Sequence, residues 1–197
     1  NGAPFYVMEF IEGMVVRTFE DASALDPALL GRMGKSLVGV LARLHDLDVD
    51  AVGLGDFARR EGYIERQLKR WRSQFEQSAT RDIPQVLEVH ERLATRVPEQ
   101  QGVGIVHGDY RLDNMIFHAD ENRVAAVLDW ELSTLGDPIA DFSYFVLNWH
   151  NPADGRAGLG GLDLEELGIP SAEDVTQRYV ERTGYPVPDM DWYFAFN

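Results

Sequence analysis

The feature that most constrains this sequence is a polar stretch enclosed by two short apolar runs, GIVHGDYRLDNMIF at residues 104–117. The flanking runs, Ile105–Val106 and Met115–Phe117, are too short for helices and predict two β-strands. Polar groups between buried strands are costly unless they bond to one another or face a ligand. The stretch therefore predicts a polar loop between two strands, and this loop is the strongest candidate for a functional site.

A third apolar run, VAAVLDW at residues 124–130, ends in an acid, Asp129. The turn-like sequence ADENR separates it from the preceding run, so the two runs predict a β-hairpin. Such a hairpin would bring Asn114 and Asp129 to neighbouring strand ends. An amide oxygen and a carboxylate placed together are hard ligands that suit Mg²⁺, which fills the rest of its shell with phosphate and water.

Asp109 lies in the same loop, with four residues between it and Asn114. A carboxylate there could orient a hydroxyl group and accept its proton. The spacing H-x-D-x₄-N, followed by an acid at a strand end, is the division of labour in the kinase template. The alternative is a polar turn whose side chains only cap the local backbone. Arg111 either faces a phosphate or an acidic group of a substrate, or pairs with a nearby acid.

Outside this region the sequence is mostly helical. The run FYVMEFI, Phe5–Ile11, predicts a short buried strand followed by a turn. His45 ends the apolar stripe of the first long helical pattern, and this position indicates a core residue. Helices are predicted to start at Asp26-Pro27, at residue 61, at residue 83, at Asp137-Pro138 and at Ser171. We therefore predict an α+β fold, mostly helical, with a small β insert that carries the polar residues.

The net charge of −15 over 197 residues argues against nucleic acid as a partner, because binding to a phosphate backbone requires clustered Lys and Arg. An acidic chain suits a cationic small substrate or a bound divalent metal, and it equally favours solubility. The absence of cysteine excludes disulfides and thiolate metal sites, and it fits a reducing cytoplasm. No apolar run reaches the roughly 18 residues of a membrane span, so we expect a cytoplasmic protein without a membrane partner. The sequence leaves the oligomeric state open.

The segments VHGDYRLDNMIF and VAAVLDWELSTLGDPIADF closely resemble the aminoglycoside phosphotransferase-like family, which includes kinases of the choline kinase type. They are most similar to the branch whose kinase-like domain is also found fused to certain acyl-CoA dehydrogenases. The segment FYVMEFIEG resembles the last strand and hinge of that family's N-lobe. The resemblance covers essentially the whole chain.

This resemblance implies a protein-kinase-like fold, in which residues 1–11 are the last N-lobe strand and hinge and residues 12–197 form the helical C-lobe. Backbone groups of the hinge residues Glu9, Phe10 and Ile11 would hydrogen-bond the adenine of ATP. The phosphate loop and the strand Lys of a complete kinase precede the hinge. We therefore expect this chain to be a fragment of a longer protein, with the N-lobe largely absent, and to transfer phosphate negligibly by itself.

The resemblance also implies roles for individual side chains. Asp109 matches the catalytic base, and Asn114 and Asp129 match the ligands of Mg²⁺. His107 matches a residue that supports the loop by packing and hydrogen bonding. Asp141 matches a buried acid that braces the catalytic loop from below.

The leading hypothesis is an ATP- and Mg²⁺-dependent phosphotransferase that acts on a hydroxyl group of a small molecule. A second hypothesis is a nucleotide-binding pseudoenzyme or scaffold, and the intact set Asp109, Asn114 and Asp129 counts against it. A third is a protein kinase, and Trp130-Glu131 after the metal-binding acid, in place of Phe-Gly, counts against that. The substrate is left open among aminoglycosides, hydroxylated acyl compounds and other alcohols.

Overall fold

The computed structural model describes residues 5, 7–118, 121, 123–153, 158–187 and 190–197. This part of the chain contains seven α-helices and two antiparallel strand pairs, which agrees with the predicted α+β class. In chain order the elements are α1 (Phe19–Ser23), α2 (Pro27–His45), α3 (Tyr63–Ser78), α4 (Pro84–Ala94), β1 (Gly104–Val106), β2 (Met115–Phe117), β3 (Val124–Val127), β4 (Thr134–Gly136), α5 (Pro138–Leu147), α6 (Ala172–Thr183) and α7 (Met190–Phe196). Among the described residues, no helix combines the length and apolarity that crossing a bilayer requires.

Helix α2 begins where the sequence predicts. The Asp26 carboxylate accepts a hydrogen bond of 2.8 Å from the backbone N–H of Ala28, and Pro27 occupies the first helical turn. The buried face of α2 includes Met33, Leu37 and Leu41, which lie in the main core. This face positions α2 behind the polar loop.

The later helices also begin close to their predicted starts. Helix α3 starts at Tyr63 and α4 at Pro84, within two residues of the predicted starts at 61 and 83. Helix α6 starts after Ser171, whose hydroxyl accepts from the backbone N–H of Asp174 at 3.1 Å, while the Asp174 carboxylate accepts from the backbone N–H of Ser171 at 3.3 Å. This reciprocal capping box satisfies two N–H groups at the start of the helix.

The strands form two antiparallel pairs, β1 with β4 and β2 with β3. The predicted hairpin is the second of these, with Met115 opposite Val127 and Ile116 opposite Ala126. Strand β1 pairs with β4 through Ile105 and Leu135. The polar loop therefore leaves one sheet at the end of β1 and enters the other at the start of β2.

The segment Phe5–Ile11 differs from its prediction. The residues of it that the structure describes belong to no strand, and Phe5 and Phe10 are 87% and 88% exposed. A strand needs a neighbour to pair with its backbone and to cover its side chains, and no strand in the described part of the chain lies beside this segment. The prediction of a buried strand is therefore wrong for these residues. Among the residues that the structure describes, the first strand-like pairing is between Met14 and Phe117.

Candidate active site

The backbone of the polar loop is held by one buried acid on α5. Asp137 caps this helix by accepting a hydrogen bond of 2.9 Å from the backbone N–H of Ile139. One turn later, the carboxylate of Asp141 accepts from the backbone N–H of His107 at 2.7 Å and from that of Gly108 at 3.0 Å. The carboxylate satisfies two backbone donors of the loop, and that of His107 is buried. Asp141 braces the loop as the family resemblance implies.

Behind Asp141 lies a second buried polar residue, His45. Its Nε2 lies 3.2 Å from Asp141 Oδ2, and its Nδ1 lies 2.7 Å from the hydroxyl of Tyr179. The prediction that His45 is a core residue is confirmed, since its side chain is buried. Packing alone does not describe its role, because His45 connects the brace of the loop to α6.

His107 is fully buried, and its two ring nitrogens make hydrogen bonds, one within the loop and one to the residue after β3. Nδ1 accepts a hydrogen bond of 3.2 Å from the backbone N–H of Asp109, so the ring proton is on Nε2, which donates to the carbonyl of Leu128 at 2.8 Å. The ring also packs against Trp130, with centroids 4.8 Å apart. His107 therefore supports the loop, as predicted, and has no ring nitrogen left to act as a base.

Gly108 gives the loop a conformation that other residues rarely adopt. Its φ is 84°, and an added Cβ would lie 2.9 Å from Cβ of Leu132. This turn lies between His107, whose backbone Asp141 holds, and Asp109.

Both oxygens of the Asp109 carboxylate accept hydrogen bonds. Oδ1 accepts from the hydroxyl of Tyr144 at 2.8 Å, and Oδ2 accepts from Nδ2 of Asn114 at 2.9 Å. The side chain is 26% exposed, so solvent reaches its outer face. Each oxygen can accept a further hydrogen bond. The carboxylate is thus fixed in orientation and still accessible to a donor from outside.

Asn114 ends a 3₁₀ turn, Leu112–Asn114, that connects the loop to β2. Its Nδ2 donates to the backbone carbonyl and to Oδ2 of Asp109, both at 2.9 Å. Both amide hydrogens are therefore used, and the side-chain oxygen remains an acceptor for another group. The backbone carbonyl of Asn114 accepts from the N–H of Leu128 at 2.8 Å, which places the residue after Leu128 beside this end of β2.

That next residue is Asp129, which has an unusual backbone. Its φ and ψ are both 62°, and it is the one non-glycine residue with positive φ in the part of the chain described. Left-handed backbone costs energy for residues with a Cβ and is concentrated at functional sites. Asp129, which is exposed, lies just beyond the end of β3, and Asn114, whose side-chain oxygen is free, directly precedes β2. These two strand ends are neighbours, as the predicted hairpin requires.

These two residues supply a small set of hard oxygen donors. Nowhere in the described ranges do three or more His, Cys, Asp or Glu side chains converge as a metal cluster. A cation held by Asn114 and Asp129 would take its other ligands from phosphate and water. That arrangement is typical of Mg²⁺ at phosphate-transfer sites.

Arg111 pairs with a neighbouring acid. Its Nε donates to Asp113 Oδ1 at 2.7 Å, and a second guanidinium nitrogen bonds Asp113 Oδ2. The guanidinium holds the pKa of Asp113 below its usual range. Arg111 Nε also lies 3.9 Å from Asp109 Oδ1, beyond hydrogen-bond distance. Of the two alternatives for Arg111, the structure shows pairing with an acid.

Sequence reasoning missed Tyr144. The residue lies on α5, three positions after Asp141, so the same helix face that braces the loop backbone also contacts the Asp109 side chain. Burial and the nearby Asp109 carboxylate raise the pKa of Tyr144 to about 12, so its hydroxyl remains a donor at neutral pH. The available signal was the helical spacing from Asp141.

The predicted hinge residues lie apart from these contacts. Glu9 and Phe10 are exposed and Ile11 is partly buried, and all three lie outside any strand. Their part in adenine binding stays a prediction.

A family model described as the phosphotransferase enzyme family matches residues 1–175. The chain belongs to this family. Among relatives of this phosphotransferase-family chain, acyl-CoA dehydrogenase family member 10 of Mus musculus is 37% identical over 201 residues, and member 11 of Gallus gallus is 42% identical over 203 residues. Both matches cover 100% of this chain, and they confirm the resemblance to the acyl-CoA dehydrogenase-fused branch.

The chain spans only 18% of the mouse relative and 26% of the chicken relative. The matches therefore concern one part of those proteins. The names of the relatives describe those whole proteins and not the part that matches this chain.

Solved structures give the fold. A candidate aminoglycoside phosphotransferase of Ralstonia eutropha superposes with a TM-score of 0.87 at 40% identity, over 96% of this chain and 58% of that one. An aminoglycoside phosphotransferase of Streptomyces rimosus, in complex with ADP and streptomycin, superposes with a TM-score of 0.61 at 19% identity, over 89% of this chain and 64% of that one. The predicted kinase-like fold is confirmed.

Proposed function

We propose that this chain carries the active site of an ATP- and Mg²⁺-dependent phosphotransferase that moves the γ-phosphate to a hydroxyl group of a small molecule. The observation that carries the proposal is the placement of the Asp109 carboxylate. It is held at one oxygen by Tyr144 and at the other by Asn114, in a loop braced by Asp141, and its outer face is accessible. Membership of the phosphotransferase enzyme family supports the same reaction class.

In the proposed reaction Asp109 is the general base. The substrate hydroxyl donates its proton to the Asp109 carboxylate, and its oxygen forms a new bond to the γ-phosphorus. The bond from that phosphorus to the bridging oxygen breaks, and its electron pair leaves with ADP. Loss of a positioned base typically lowers the rate by about 10²- to 10⁴-fold.

Asn114 and Asp129 are the proposed Mg²⁺ ligands. The use of both Asn114 amide hydrogens by Asp109 leaves the amide oxygen for a cation, and the exposed Asp129 carboxylate lies at the neighbouring strand end. When bound, Mg²⁺ neutralises charge on the phosphates during transfer. The left-handed backbone of Asp129 supports a functional role, because strained backbone is concentrated at functional sites.

ATP is the proposed phosphate donor, and backbone groups of Glu9, Phe10 and Ile11 are proposed to bind its adenine. The support is the resemblance of FYVMEFIEG to the hinge of the family. In the described part of the chain the backbone of residues 7–11 pairs with no strand, so these groups are available to a ligand.

The proposed partner is a small-molecule alcohol rather than a nucleic acid, and the proposed location is the cytoplasm. The net charge of −15 and the absence of cysteine support these choices. Aminoglycosides and hydroxylated acyl compounds are the first acceptors to test, because the names of the solved neighbours and of the relatives point to them. Other alcohols complete the panel.

The test is ATP consumption by the complete gene product, with and without Mg²⁺, against this panel of acceptors. We expect one class of acceptor to stimulate Mg²⁺-dependent turnover, and we expect Asp109→Asn to remove the stimulation. Nucleotide binding without stimulation by any acceptor would favour a nucleotide-binding scaffold instead. Stimulated turnover that Asp109→Asn retains in full would contradict the assignment of the base.

A further inference from the structure

Helix α5 contacts the polar loop at two points that no sequence motif marks together. Asp141 binds the loop backbone, and Tyr144, three residues further along, binds the side chain of Asp109 with its hydroxyl at 2.8 Å. Residues three apart on a helix lie on the same face, so one rigid element sets both contacts. The orientation of Asp109 is thereby tied to the element that fixes the loop.

We propose that Tyr144 is a positioning residue for Asp109, which holds the carboxylate in one orientation towards the substrate hydroxyl. This inference rests on the proposed role of Asp109 as the base. It adds a residue whose effect is exerted through Asp109 and not through contact with ATP or with the metal.

The physical basis is the freedom of an aspartate side chain. Rotation of a carboxylate about its last bond is broad and has no sharp minima. The bond from Asn114 to Oδ2 anchors one oxygen, and the bond from Tyr144 to Oδ1 anchors the other. Two anchors on opposite oxygens fix the plane of the carboxylate and therefore the direction of its remaining lone pairs. Correct orientation of a reacting group contributes strongly to rate.

No other group in the described part of the chain replaces Tyr144 at this oxygen. The Nε of Arg111 lies 3.9 Å from Oδ1 and is directed to Asp113, to which it donates at 2.7 Å. The Tyr144 hydroxyl also interacts with the Arg111 side chain, but a guanidinium can only donate to it. The one hydroxyl proton of Tyr144 is therefore used by Asp109 Oδ1.

The chain offers a matched control for this contact. The hydroxyl of Tyr193 donates to Asp137 Oδ2 at 3.1 Å, and Asp137 caps the same helix. Each pair is a Tyr–Asp hydrogen bond with one partner on α5 or at its N-cap. The Tyr193 pair involves neither Asp109 nor its loop. Either Tyr→Phe change could lower the stability of the helix, whereas only Tyr144→Phe should disorder the Asp109 carboxylate.

The first arm of the experiment needs no turnover. Crystal structures of the complete gene product would be compared for the wild type, Tyr144→Phe and Tyr193→Phe. We expect the Asp109 carboxylate to occupy one orientation in the wild type and in Tyr193→Phe, and to rotate or adopt several orientations in Tyr144→Phe. An unchanged single orientation in Tyr144→Phe would overturn the proposal.

The second arm measures kcat and KM with MgATP and the panel acceptor of highest turnover, or with water as acceptor. We expect Tyr144→Phe to lower kcat by about ten- to a hundredfold, the range for a lost hydrogen bond to a charged group, and to leave KM for MgATP unchanged. Tyr193→Phe should retain the wild-type kcat. An unchanged kcat in Tyr144→Phe, or equal losses in both variants, would overturn the proposal.

A double variant separates this inference from the proposed function. If Tyr144 acts through Asp109, adding Tyr144→Phe to Asp109→Asn lowers the residual rate no further. A full additional loss in the double variant would overturn the positioning role while leaving Asp109 as the base. Wild-type turnover in Asp109→Asn alone would instead overturn the proposed function.

Discussion

The brace between α5 and the loop allows one stability prediction to be worked out from the structure. In Asp141→Ala the backbone N–H groups of His107 and Gly108 lose their acceptor, and His45 loses one of its two partners. Asp141 is buried, so water cannot easily replace the carboxylate. The variant therefore leaves two buried groups, the N–H of His107 and the ring of His45, and the less buried N–H of Gly108 with incomplete hydrogen bonding.

An unsatisfied buried polar group costs about 1–3 kcal/mol, and removal of one partner from a buried charged network costs about 3–5 kcal/mol in total. We expect Asp141→Ala to lower the free energy of unfolding by about 3–5 kcal/mol. For a protein of this size that corresponds to a fall in Tm of about 10 °C. Asp141→Asn keeps one acceptor oxygen, and we expect about half of this loss.

The assay is urea unfolding followed by far-UV circular dichroism, with thermal unfolding in parallel. Asp48→Ala is the matched control, because the Asp48 carboxylate also accepts from two backbone N–H groups, those of Asp50 and Ala51, but is exposed. Water can satisfy those groups, so the control should lose much less stability. Equal losses in the two variants, or a loss of under about 1 kcal/mol in Asp141→Ala, would refute the reasoning.

Two further predictions concern Asp129 and Asp137. Asp129→Gly should be at least as stable as the wild type in urea, because glycine adopts a φ of 62° without strain. Its Mg²⁺-dependent ATP turnover should fall by about a hundredfold. A destabilised but fully active variant would contradict this prediction. Burial raises the pKa of Asp137 above its ordinary value of 3.8. The native state therefore binds this proton more tightly than the unfolded state, and the contribution of Asp137 to stability falls as pH rises from 3.8 through the raised pKa. Between pH 4 and pH 7 the free energy of unfolding should fall less in Asp137→Asn than in the wild type. An equal fall in the two proteins would contradict the assignment.

Features encoded in short segments could be predicted from the sequence. The cap at Asp26 and the capping box at Ser171 depend on residues within one helical turn. The hairpin follows from two apolar runs joined by a turn, and it brings Asn114 and Asp129 to neighbouring strand ends as predicted. Local rules suffice where both partners lie close together in the chain.

Features that depend on distant partners could not be predicted from the sequence. Tyr144 and Asp109 are 35 residues apart, and His45 and Tyr179 are 134 residues apart, so no local pattern indicates that they bond. The segment Phe5–Ile11 has the composition of a buried strand, but burial requires a covering surface as well as apolar residues. The proposed roles of Asp109, Asn114 and Asp129 rest on a spacing that resembles a known template, so the sequence alone was enough to propose them.

The most direct test of the account is formation of a phosphorylated product by the complete gene product, followed by ³¹P NMR with MgATP and a stimulating acceptor. We predict that a new phosphomonoester signal grows in step with ADP for the wild type. We also predict that Asp109→Asn forms this signal about 10²- to 10⁴-fold more slowly while remaining folded. ATP converted to ADP and inorganic phosphate alone, or a phosphomonoester formed equally fast by Asp109→Asn, would contradict these predictions.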